Sequence, residues 1–129
     1  MQYYLSKIIP GKFNEVIERV TDLLKEEGFG ILTEINVKET LKKKLDVDYK
    51  DYVILGACNP SLALRAFQAE DKIGTLLPCN VSVIDQGDGN IEVAIMDAET
   101  LMSPIGNPEL KVLAKEVAER MSRILMNLH

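Results

Sequence analysis

The sequence has one histidine, and it is the last residue, His129. Chain ends are usually loosely held, so no histidine is expected inside a site. This removes Ser/His/Asp and Cys/His catalytic arrangements, HExxH metal centres and any histidine proton shuttle. Cysteine is almost as scarce. Two residues, Cys58 and Cys79, cannot close a zinc site within one chain without histidine, although a dimer sharing four thiolates could. No metal and no cofactor are expected. Neither GxGxxG nor GxxxxGK[ST] occurs, and Gly28 and Gly30 flank Phe29 at a helix-to-strand junction, the wrong context for phosphate binding. Basic residues are the minority: 20 acids against 15 bases leave a net charge of −5. Between Glu70 and Glu109 the only base is Lys72, so a nucleic-acid partner would be repelled by that half. Long hydrophobic runs are missing too. The stretch from Tyr52 to Leu64 is short and interrupted by Gly, Asn and Pro, so no membrane partner is expected. No basic start followed by an apolar core opens the sequence, which points to a cytoplasmic address with the cysteines as thiols.

What is present suits one globular domain over residues 1–129. The chain is 47% hydrophobic and 27% charged, a balance that is neither disordered nor membrane-like, and it is long enough to bury a core without staples. Tyr3 to Ile9 reads as a strand stopped by Pro10-Gly11. Phe13, Val16, Ile17, Val20, Leu23 and Leu24 recur at helical spacing, and Gly28 can close that helix. Phe29 to Val37 alternates as a second strand. Val37 to Leu45 predicts a short helix with one apolar side, in which Lys42, Lys43 and Lys44 form a solvated face rather than an anion site, offset by Asp46 and Asp48.

Tyr52 to Cys58 is a nearly continuous apolar strand. Asn59-Pro60 then starts a helix, because Asn caps well and Pro suits the first helical position. Cys79 to Asp85 and Ile91 to Met96 form a hairpin around Gly87-Asp88-Gly89-Asn90. After a loop from Asp97 to Gly106, Asn107-Pro108 opens a closing helix through Leu128. Glu116 with Arg120 and Glu119 with Arg123 are spaced as ion pairs on its outer side. The elements run in the order β-α-β-(α)-β-α-β-β-α, five strands with helices between them.

Several strands are apolar on both sides. Tyr52, Ile54 and Cys58 lie opposite Val53, Leu55 and Ala57, while Ala94 and Met96 lie opposite Ile91, Val93 and Ile95; Leu32 and Ile84 add to the second face. A second subunit covering that face is the preferred reading, which predicts a homodimer.

Candidate chemistry gathers at two Cys-Asn pairs, Cys58-Asn59 and Cys79-Asn80. Cys58 ends a strand just before a helix start, where unpaired N–H groups can favour a thiolate. If the two strands are antiparallel neighbours, both thiols share one rim; if parallel, they lie at opposite ends. Buried cysteine also packs as a small hydrophobe, and core packing is the simplest reading. Arg65, early in the following helix, could bind an anion or pair with Glu70 or Asp71. Asp97 and Glu99 could serve as acid and base or hold a divalent ion, but acids on the surface of an acidic protein need no such role.

Three segments together resemble a prokaryotic family described only as domain of unknown function 302. They are Gly28-Phe29-Gly30-Ile31-Leu32-Thr33-Glu34-Ile35, Ile54-Leu55-Gly56-Ala57-Cys58-Asn59-Pro60, and Leu76-Leu77-Pro78-Cys79-Asn80-Val81. The likeness runs from Tyr3 to about Leu125 and departs at Ala98, where that family has proline. The resemblance implies the fold class, α+β in two layers with a curved, mostly antiparallel five-stranded sheet of TATA-box-binding-protein-like type and helices packed on it; it also implies self-association, and it implies no reaction. The function expected is a homodimeric module that binds a small molecule at Cys58, Asn59, Arg65, Cys79 and Asn80. The alternatives are a thiol-dependent redox enzyme using Cys58 and Cys79, and a structural protein-interaction domain.

Overall fold

The computed structural model describes residues 2–129. Five strands form one antiparallel sheet in the order β1-β5-β4-β3-β2. They are β1 (Tyr4–Pro10), β2 (Gly30–Asn36), β3 (Tyr52–Cys58), β4 (Cys79–Gly87) and β5 (Asn90–Met96). The helices are α1 (Phe13–Glu26), α2 (Val37–Leu45), α3 (Pro60–Ala69), α4 (Ala98–Met102) and α5 (Pro108–Asn127), with 3-10 turns at Asp71–Leu76 and Ser103–Ile105. Because β1 and β2 are the two edges, α1 must carry the chain across the whole sheet. Its Val16, Val20 and Leu24 are fully buried there.

Local chemistry sets most boundaries. Asn36, Asn59 and Asn107 cap α2, α3 and α5: each side-chain oxygen accepts a backbone N–H of the first turn, at 3.0 to 3.2 Å. The hairpin loop is Asp88-Gly89, both at positive φ (55° and 77°), as a two-residue turn matched to strand twist requires. At the other end of the chain, Lys7 on β1 donates to the carbonyls of Leu125 (3.1 Å) and Leu128 (2.7 Å), a cation on the negative end of α5. Arg19 donates to the carbonyl of His129, so the chain end is tied to α1.

The core has two parts. Alternate residues of β3, β4 and β5 (Val53, Leu55, Ala57; Val81, Val83; Ile91, Val93, Ile95) pack under α1 and the second half of α5. A smaller cluster joins α3, α4 and the first half of α5 through Leu62, Ala66, Met102, Leu110 and Leu113. Leu77 and Val117 touch both. The opposite sheet face carries Tyr52, Ile54, Ser82, Ile84 and Ala94, none of them fully buried.

Three sequence expectations are corrected. The register between β2 and β3 shifts between Ile31 and Thr33, so Leu32 is an extra residue of a bulge; it lines a cavity beside α3 instead of joining the second apolar face. Asp97 to Gly106 is not an irregular loop. Asp97 caps α4, its carboxylate accepting the N–H groups of Glu99 (3.1 Å) and Thr100 (3.3 Å) and the Thr100 hydroxyl (3.1 Å). Arg123 leaves Glu119 and forms a fork on Glu27 instead, at 2.9 and 3.0 Å, while the Glu116–Arg120 pair forms at 3.1 Å. A cross-element partner won over the one on the same helix.

Gly56 sits where three strands meet. A Cβ there would collide with the Thr33 hydroxyl and stand 2.7 Å from Pro78 Cγ. Gly56→Ala is expected to destabilise the fold by about 2 kcal/mol, the usual cost of overpacking a filled site. Urea unfolding with a matched Gly30→Ala control, where space is open, checks this.

Candidate functional site

β3 and β4 are antiparallel neighbours with Ala57 opposite Cys79 and Gly56 opposite Asn80. The last residue of β3 and the first of β4 therefore share one rim, and Cys58 and Cys79 border the same cavity. That cavity, about 280 Å3, lies where the two parts of the core meet. Its floor is Ala57 and Cys79, its walls come from α3 and α5 (Leu62, Ala63, Leu113), and Leu32 and Phe67 stand at its side. Phe67 is 47% exposed and Leu32 66% exposed, so the apolar surface continues outward from the cavity. No charged side chain lines it.

The sequence-derived site residues divide. Cys58, Asn59 and Cys79 line the cavity. Arg65 is exposed and absent from the lining, because it projects from the outer side of α3 while Leu62 and Ala66 face inward. Asn80 follows Cys79 on the strand, so it points to the opposite face and lies beside Tyr52 and Ser82. Asp97 is committed to capping α4, Glu99 is exposed in its first turn, and no group of three His, Cys, Asp or Glu side chains placed to hold a metal occurs among the described residues. Leu32 and Phe67 were missed as site residues. A bulge leaves little trace in sequence, and a half-exposed aromatic at helical spacing reads as core.

Asn59 does two things at once. Its Oδ1 caps α3 through Leu62 N–H at 3.2 Å. Its Nδ2 packs toward Gly28, where a Cβ would come within 2.7 Å. Gly28 at φ +85° thus lets the end of α1 approach the start of α3. Arg120 closes the same corner by donating to the Glu27 carbonyl at 2.7 Å, and the Arg123 guanidinium holds the Glu27 carboxyl below its usual range.

The two thiols are unlike. Cys58 is half-buried; Cys79 is 5% exposed. Burial pushes the Cys79 thiol from 9.0 up to about 11, and the nearby Cys58 adds to the rise. At neutral pH Cys79 is a neutral S–H.

A family model described as domain of unknown function DUF302 matches residues 5–128. The chain belongs to the DUF302 family. It is similar to a solved structure, the uncharacterized conserved protein DUF302 from Bacillus stearothermophilus, with 30% identity over the whole of both chains and a TM-score of 0.91. None of the curated proteins matches this chain. Family membership brings the two-layer fold and no assigned reaction, so what a DUF302 chain does must be argued from its site.

The raised Cys79 thiol has a thermodynamic consequence. A group kept protonated in the folded state stabilises the fold fully below its unfolded value and loses that contribution as pH rises through the folded one. Folding stability is expected to fall between pH 9.0 and about 11, by about 2 kcal/mol at roughly pH 10.5. Cys79→Ala removes that part of the decline. Urea unfolding of both proteins at roughly pH 8 and pH 10.5 measures the difference.

Proposed function

We propose that this protein is a cytoplasmic, homodimeric binding module that takes a small, uncharged, apolar molecule into the cavity beside Cys58 and Cys79. The observation that carries the reading is the cavity itself: about 280 Å3, bounded almost wholly by carbon and sulfur, without a charged group on its wall. Holes in apolar cores stay dry. One of roughly half this volume in another protein takes up benzene. The cavity here is open at the side where Leu32 and Phe67 are exposed. A ligand that fills it restores lost contacts. The exposed Leu32 and Phe67 give such a molecule an apolar approach.

Catalysis is less well served. Among the described residues the only ionisable side chains on the wall are the two thiols, and Cys79 is held protonated. A thiol-based redox step is helped by depressed thiol values, and the environment acts on Cys79 in the other direction.

Toluene and naphthalene are suitable probes. Each is expected to raise the thermal unfolding midpoint of the native protein by a few degrees and to leave Ala63→Phe, which fills the cavity, unshifted. Equal shifts in both proteins, or none in either, would overturn the proposal.

The second sheet face supports the dimer. Tyr52, Ile54, Ile84, Ala94 and Met96 share it with Ile8 (57% exposed), and its acid Glu92 accepts from Gln86 Nε2 at 2.7 Å while keeping its charge. A face of this kind matches a copy of itself across a two-fold axis. Sedimentation is expected to give twice the 14.4 kDa chain mass, and Ile84→Lys with Ala94→Glu to give monomers that keep their far-UV circular dichroism. A monomeric native protein at high concentration rules the dimer out.

A further inference from the structure

Nitrogen and oxygen on the cavity wall are already satisfied. Among the described residues no buried side-chain nitrogen or oxygen lacks a hydrogen-bond partner. The one side-chain amide on the wall, Asn59, is committed at both atoms: Oδ1 accepts Leu62 N–H, and Nδ2 packs on Gly28 beside the Arg120 guanidinium. The rest of the side-chain surface is carbon and sulfur, and thiols and thioethers are weak hydrogen-bonding groups. A ligand that carried a hydroxyl or carbonyl inward would strip it of water and gain little in return.

The mouth of the cavity is apolar as well. Leu32, the extra residue of the β2 bulge, is 66% exposed, and Phe67 on α3 is 47% exposed; both border the cavity. The backbone sets their places. The bulge takes Leu32 out of the regular pleat, and the 3-10 turn Asp71–Leu76 brings Gly74 against the Phe67 ring, where a Cβ would stand 3.5 Å from Cε1.

Size then separates two kinds of ligand. Since benzene fills a hole of about 150 Å3, a space of about 280 Å3 holds roughly ten carbons. A compact ring system of that size fills the hole and ends at the mouth, with Leu32 and Phe67 still in water. A longer aliphatic chain fills the hole and then lies across both side chains, which removes that surface from water too.

We infer that the uncharged, apolar body taken up is a single alkyl chain of more than roughly ten carbons, which enters methyl end first and leaves its polar end in water beyond Leu32 and Phe67. The ligand class is a straight-chain amphiphile. This rests on the cavity being a binding site, as proposed above.

Alkan-1-ols and a diol test this through displacement of bound naphthalene, read from its fluorescence. In native protein, dodecan-1-ol is expected to bind at least about fourfold more tightly than decan-1-ol, because its two further CH2 groups leave water at the mouth. With Leu32→Ser and Phe67→Ser combined, the gain is expected to fall below about twofold. Both side chains are exposed, so the variant is expected to keep its far-UV circular dichroism. Dodecane-1,12-diol has to carry a hydroxyl inward, and it is expected to bind native protein more than about tenfold more weakly than dodecan-1-ol. That arm needs no variant. An equal chain-length gain in native and variant protein, a diol that binds within about tenfold of the alkanol, or bound naphthalene that no alkanol displaces overturns the inference and leaves the cavity proposal standing. A native protein whose thermal midpoint neither naphthalene nor the alkanols raise overturns both.

Discussion

The pairing of Ala57 opposite Cys79 across β3 and β4 is the constraint on which the rest of the structure depends. Antiparallel pairing in that register ends β3 and begins β4 at the same rim, and it leaves Gly56 against Thr33 and Pro78 with no room for a side chain. The same register sends Leu55 and Val81 into the core and Ile54 and Ser82 to the other face. A slip of one residue would reverse every one of these assignments. The Cys-Asn pairs are therefore products of one backbone alignment, in which each cysteine takes the cavity and Asn80, one residue on, takes the opposite surface.

What could be read in the sequence was what is decided within a few residues. The Asn-Pro starts of α3 and α5, the two-residue Asp88-Gly89 turn and the apolar stripe of α1 each carry their own chemistry, and each stands where expected. The element order followed from them, whereas the antiparallel sheet was implied by the resemblance to the family. Two of the failures depend on a distant partner. Leu32 looked like a second-face residue because strict alternation was assumed, and only its fit against β3 reveals the bulge. Arg123 found Glu27, 96 residues away, better placed than Glu119. Arg65 was grouped with the cysteines because it follows Asn59 closely, but helical rotation carries it to the solvent side. Whether Cys58 and Cys79 met was a question of strand direction, which no local pattern answers.

Division of the core explains how a domain of this size can carry a hole. α1 and the second half of α5 close over the sheet without help from α3 or α4. The smaller cluster is built on the first half of α5, tied at one end by Asn107 to the last turn of α3. The space between the two clusters is bounded by two rigid parts, and neither can relax into it without giving up its own packing. The corner at Gly28, Asn59 and Arg120 braces the join.

Charge and cavity chemistry are arranged apart. The acidic excess of the chain sits on its surface, and one lysine of the α2 cluster is met there, Lys42 by Asp46 at 3.0 Å and Asp48 at 3.3 Å, pairs too exposed to contribute much stability. None of that charge reaches the cavity wall. A carboxylate or ammonium there would favour ionic ligands and would need a partner of its own. Thiols and one amide are the polar groups that such a wall can hold at little cost: sulfur is soft and nearly apolar, and the amide is already anchored by the helix it caps. Cys79 is held protonated by burial, and no carboxylate, histidine or lysine stands on the wall among the described residues.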